Sequence, residues 1–179
     1  MQGISTVYKM HKEFGHIWIL PILPDCMDFT MSEFGEVFDA CMQLNTIYFR
    51  NNARDTDINA EIADVIMMLV KYYIHTYAEE DFIDFMLKND DTQWKLFARG
   101  ATLREVLYLS TAGLSTFVIG GGILVDLLPG SSTKVLLYAQ PVDIIWLLID
   151  YLGVDNFASY MQKKYDKMQK KVALQNVSN

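Results

Sequence analysis

The stretch SEFGEVFDACMQLNTIYFRNNARDTDINAEIADVIMMLVKYYIHTY, residues 32–77, carries two carboxylate pairs at one spacing. Glu33 stands three residues before Glu36, and Glu61 three before Asp64. Both segments read as amphipathic helices, in which residues three apart share a face. At about 100° per residue, Phe34, Val37, Phe38, Cys41, Leu44 and Tyr48 form one apolar arc. Glu33, Glu36, Ala40 and Gln43 border that arc. In the second segment Ile58, Ile62, Val65, Leu69 and Tyr72 form the arc, with Asp57, Glu61, Asp64 and Met68 beside it. Acids that only solvate a surface usually stand opposite the apolar stripe. Acids at its border point into the seam between packed helices.

Paired as a hairpin, the two helices bring four carboxylates together. Two like charges about 4 Å apart repel by about 4 kcal/mol at an effective dielectric of about 20. Four such groups need protons or a cation among them. The set holds no Cys or His, so its oxygens favour Mg²⁺, with Mn²⁺ as a substitute. Helix bundles build metal sites from acidic pairs on facing helices. A structural reading stands beside this one. Glu33 follows Thr30 at the spacing of a capping box, and acids in a first turn offset the helix dipole. Either pair taken singly is explained that way. Two pairs, both bordering apolar arcs across one hairpin, favour the metal reading.

At these residues the chain resembles the all-alpha nucleoside triphosphate pyrophosphohydrolases, the superfamily of MazG, MazG-like phage proteins and the dimeric dUTPases. EFGEVFDA at 33–40 and EIADVIMML at 61–69 are similar to MazG-type wording. The likeness covers residues 28–90, roughly a third of the chain. It implies Mg²⁺-dependent hydrolysis of a nucleoside triphosphate to monophosphate and pyrophosphate, with Glu33, Glu36, Glu61 and Asp64 as metal ligands. Glu33 or Glu36 is the expected base, acting through a water. The family also places a lysine on the helix after the second acid pair, against the substrate phosphates. Lys88 fits that place, and Asn89 beside it matches the frequent Lys-Asn wording. A cation complementing a helix C-terminus is the competing reading of Lys88. Arg54 and Arg50, in and beside the polar turn 51–57, are either phosphate contacts or solvated surface groups.

At 179 residues, the chain suits one all-α domain over 1–179. Half its residues are hydrophobic and its net charge is −7, which argues against a broad nucleic-acid-binding face. The two cysteines, Cys26 and Cys41, form no metal-binding or disulfide pattern. Lys9, His11, Lys12 and Glu13 occupy the place of a signal peptide's apolar run. A cytoplasmic setting is expected, the host's if the chain is phage-encoded. Residues 106–125 hold no charge, a length that can span a bilayer. The glycines within it favour a buried helix followed by a glycine-rich turn, with no membrane role. The run Gly120-Gly121-Gly122 lacks the lysine and the strand-to-helix setting of a phosphate loop.

Along the chain, residues 1–16 read as a short helix. Pro21 and Pro24 predict an extended or turning stretch. The first core helix is expected from about Ser32 to Asn51 and the second from about Asp57 to Tyr77. A shorter helix on Phe82, Phe85 and Met86 ends near Lys88. The second half echoes the first. Glu36-Val37-Phe38 matches Glu105-Val106-Leu107, Glu61 to Ile66 matches Gln140 to Ile145, and Phe82 to Lys88 matches Phe157 to Lys163. The expectation is a helical bundle with a tandem, degenerate internal repeat: repeat one about 28–90 and repeat two about 100–165. Thr102 replaces Glu33 and Gln140 replaces Glu61, so only the first repeat keeps a metal site. The basic tail from Lys163 to Lys171 reads as a solvated end or a partial lid. A homodimer or higher homo-oligomer is expected. The alternatives are a catalytically silent nucleotide- or metal-binding module and, further off, a small membrane protein.

Overall fold

The computed structural model describes residues 1–15, 23–45, 58–89, 101–121, 123–126, 134–137 and 139–177. The chain is of the all-α class. Its helices are α1 (Gln2–Phe14), α2 (Leu23–Asn45), α3 (Ile58–Ile74), α4 (Glu79–Lys88), α5 (Leu103–Ile119), α6 (Pro141–Leu152) and α7 (Val154–Val177). A single antiparallel hairpin among the described residues, β1 (Ile123–Asp126) with β2 (Lys134–Leu137), lies between α5 and α6. Two compact units result: Met1–Phe85 with Leu152–Asn179, and Met86–Tyr151. Their boundaries do not follow the 28–90 and 100–165 division of the sequence echo.

In the first unit, α3 is the central element. α2 and α1 pack on it, α7 touches it, and α7 also packs along α1. A helix met on several sides must be apolar nearly all round. Accordingly, every residue from Val65 to Lys71 is buried. α1 and α7 approach closely at Gly3, where an added Cβ would lie 2.5 Å from the Phe157 ring. Glycine is what permits that separation. At the α3–α4 corner, Tyr73 stacks on Phe82 with centroids 4.6 Å apart, and Tyr77 on Phe85 at 5.4 Å. Phe82 and Met86 are fully buried, as the α4 pattern predicts.

In the second unit, α5 begins with a capping box. Glu105 N–H donates to Thr102 Oγ1, and the Glu105 carboxylate accepts from Thr102 N–H at 2.7 Å. It ends at Gly120, whose φ of 72° is left-handed, the conformation that favours glycine after a helix. Pro141 opens α6, where its missing N–H leaves no bond unmade. Asp143 accepts from Gln140 N–H at 2.8 Å, and the Trp146 indole donates to Met86 O at 3.0 Å.

Two features differ from the sequence reading. α2 starts at Leu23, well before Ser32. Pro24 is the second residue of the helix, inside the first turn, where no intrahelical N–H bond is due. The span 106–125 is a helix to Ile119 followed by strand β1. Its register pairs Ile123 with Leu137 and Asp126 with Lys134; a short apolar run does not distinguish strand from buried helix by periodicity. Among the described residues, no helix is long and apolar enough to cross a membrane. The tandem repeat is not displayed by this arrangement. Glu105 caps α5, whereas its echo Glu36 lies in the interior of α2.

Candidate metal centre

α2 and α3 set the acids against each other. On α2, burial of Phe34, Val37 and Ala40 fixes which face turns to α3. Glu33 stands at the edge of that face, half-buried. Glu36 lies about 60° further round, by the helical rotation of three residues, and is exposed. On α3, Glu61 and Asp64 are one turn apart and both half-buried. One oxygen from each of Glu33, Glu61 and Asp64 lies within 4.8 Å of the others. This acid trio is the convergence expected of the two pairs, with Glu36 outside it. Glu36 still bears on the cluster, because its charge helps to raise the pKa of Glu33.

The capping account of Glu33 does not hold in this structure. Thr30 is fully buried in the interior of α2, and its Oγ1 donates to Cys26 O at 2.6 Å. That is a helix-interior back-bond, not a cap. Glu33 therefore stands far from the start of α2, where no terminal dipole explains it.

The electrostatics follow from burial and crowding. The pKa of Glu33 is raised to about 7. Burial is the largest cause, followed by the charges of Asp64 and Glu36; Lys164 opposes them, and Glu61 adds to the rise. A carboxyl in this state holds a proton near neutrality, which relieves the repulsion of its neighbours.

Two lysines complete the site. Lys164 of α7 donates its ammonium to Asp64 Oδ1, where α7 touches α3. Lys71 lies on the Asp64–Met68–Lys71 stripe of α3, only 2% exposed, with its Nζ 3.4 Å from Met68 Sδ. Its pKa is lowered to about 7, first by burial and then by the charge of Lys164. Cys26, Glu33 and Asp64 pull it the other way. Cys26 and Glu33 are two turns apart on α2, as Lys71 and Asp64 are on α3.

Neither lysine was identified from the sequence as part of the site. A signal existed for Lys71, the single charge in VIMMLVKYYI at 65–74. For Lys164 no local signal separates it from the other lysines of α7. Of the phosphate candidates, Lys88 is exposed in the last turn of α4. Asn89 follows it, its N–H bonded to Met86 O at 3.0 Å; both belong to the second unit. Arg54 lies outside the described residues.

The donor set suits a hard divalent ion. Three carboxylates from two helices, with no sulfur or imidazole, match the oxygen preference of Mg²⁺ or Mn²⁺. The raised pKa of Glu33 marks negative charge that a cation would stabilise. Compared with protein-family models, with curated proteins and with solved structures, the chain matches none.

Proposed function

We propose that this chain is a Mg²⁺-dependent nucleoside triphosphate pyrophosphohydrolase, with Mn²⁺ able to substitute. The observation that carries the reading is the convergence of Glu33, Glu61 and Asp64 within 4.8 Å. The likeness of EFGEVFDA and EIADVIMML to MazG-type sequences supplies the choice of bond. In the reaction, the oxygen of water bonds to the α-phosphorus and the α–β anhydride bond breaks. The bonding pair leaves with pyrophosphate, and the water's proton passes to a carboxylate.

Glu33, Glu61 and Asp64 would hold the ion. When bound, it supplies a more acidic water and offsets the charge on the phosphates. Glu36, one turn from Glu33 and outside the trio, keeps its carboxylate available for the proton. Glu33 is the other candidate base; its proton near neutrality must leave before it can serve as a ligand. Lys88, Asn89 and Arg54 remain proposed as phosphate contacts. A homo-oligomer remains part of the reading. Action in the cytoplasm remains part of the proposal.

A second reading is favoured by one contact. Lys164 already partners Asp64, so the cluster can be read as a catalytically silent seam in which a lysine offsets part of the acid charge. A nucleotide panel with Mg²⁺, scored for monophosphate and pyrophosphate, separates the two. Glu61→Gln keeps the shape and removes one anionic oxygen. We expect turnover to fall by about 100-fold or more, with helix content by circular dichroism unchanged. Equal turnover in the variant would remove the catalytic assignment.

A further inference from the structure

We propose that Lys164 is the resident cation of the acid trio: it gives way when a divalent ion enters and turns to the phosphates of the bound substrate. The inference rests on the metal reading of the trio and adds to it a residue from α7.

Topology is the first support. Asp64 and Lys164 are 100 residues apart in sequence. Their pairing exists because α7 touches α3 beside the acids. On either side of it, Lys163 and Lys167 are exposed, while Lys164 is half-buried against Asp64. One lysine of a basic helix has thus been turned inward where, among the described residues, three carboxylates converge.

The second support is the contrast between the two lysines near the trio. Lys71 is 2% exposed and enclosed in the α2–α3 seam, so its ammonium has nowhere to withdraw. The Lys164 side chain is 32% exposed. Its flexible four-carbon stem lets the ammonium move while the helix stays in place. Lys71 is therefore held in place and Lys164 is displaceable.

Charge is the third. The Lys164 ammonium brings a single charge to one carboxylate of the trio. A divalent ion carries twice the charge and takes several oxygens at once, so it displaces a single ammonium from Asp64. Once released, the ammonium stands beside the incoming polyphosphate. There it offsets anionic charge, as lysine does in other phosphate sites.

The test uses the full chain, with Mn²⁺ alone and then Mn²⁺ with inorganic pyrophosphate, followed by titration calorimetry. Lys164→Gln should bind Mn²⁺ about two- to fivefold more tightly, because a part-exposed competing ion pair is gone. The same variant should hold pyrophosphate, with Mn²⁺ present, about tenfold more weakly, while Lys164→Arg retains most of the affinity. Unchanged or weaker Mn²⁺ binding by Lys164→Gln overturns the proposal, as does a wild-type chain that binds no Mn²⁺. Should the variant fail to fold, the ζ-nitrogen resonance of Lys164 in the wild type decides. It should shift on adding Mg²⁺, and a resonance that stays in place overturns the proposal. No turnover is needed in any arm. A silent nucleotide panel together with tighter Mn²⁺ binding by Lys164→Gln would reject the enzyme reading and keep this one.

Discussion

Glu33 and Lys71 are oppositely displaced toward neutrality, and their signs make a testable pair. The pKa of Glu33 is raised from 4.5 to about 7 on folding. Its contribution to stability is full below pH 4.5 and is lost as pH rises through about 7. Lys71 is lowered from 10.5 to about 7. Its contribution is full above pH 10.5 and is lost as pH falls through about 7. The metal-free chain should therefore lose stability from these two groups between pH 4.5 and 7, and regain it from there toward pH 10.5. Urea unfolding across that range measures it. The acid-side slope should flatten in Glu33→Gln and the alkaline-side slope in Lys71→Met. Slopes identical to wild type in both variants would mean that the two groups titrate normally in the folded state. At this scale the sequence was informative about the acids and less so about the cations. Glu33, Glu61 and Asp64 were legible as border residues. Glu36, equally legible as an acid of the first pair, falls outside the trio because it lies further round the helix.

Among the elements, the boundaries of α3 and α4 were legible to within a few residues, because apolar periodicity and a polar turn agree there. α2 was read as starting late. Its first turn contains Pro24, and a proline inside the first turn and one preceding a helix give the same local signal. The consequence was functional, since a helix starting near Ser32 would place Glu33 in a first turn, with a capping role. In the structure that role belongs elsewhere, to Thr102 and Glu105 at the start of α5. Thr102→Ala should cost about 1 kcal/mol of unfolding free energy, read by urea titration. It should leave the Mn²⁺ affinity of the trio unchanged. Loss of metal binding in that variant would tie α5 to the site. The β1–β2 hairpin was missed because four-residue apolar runs lack enough period to be told from helix.

For the whole molecule, the organisation that matters is the division into two units. Glu33, Glu61, Asp64, Lys71 and Lys164 all belong to the unit built from α1, α2, α3 and α7. A ligand that binds the native state protects the regions it must hold closed. Hydrogen exchange followed by mass spectrometry should therefore show Mg²⁺-dependent protection in peptides from α2 and α3. Peptides from α6 should exchange at the same rate with and without the ion. Uniform protection would indicate that the ion reports global stability and does not act locally. The net charge of −7 adds a requirement at this scale. Under the proposed function a polyphosphate would have to approach as a metal complex or through local cations, and Lys164 is one such cation at the trio.

By itself the sequence determined the all-α class, the acid-bearing borders of α2 and α3, and the hard-oxygen character of their ligands. These properties are written in the period of single helices, so each can be read without knowing what packs on it. Tertiary structure alone decided which three of the four acids meet, and which lysines join them. Asp64 finds Lys164 because α7 comes up against α3 from a hundred positions away. No local period records such a contact, since it depends on how separate helices bury their apolar faces against one another.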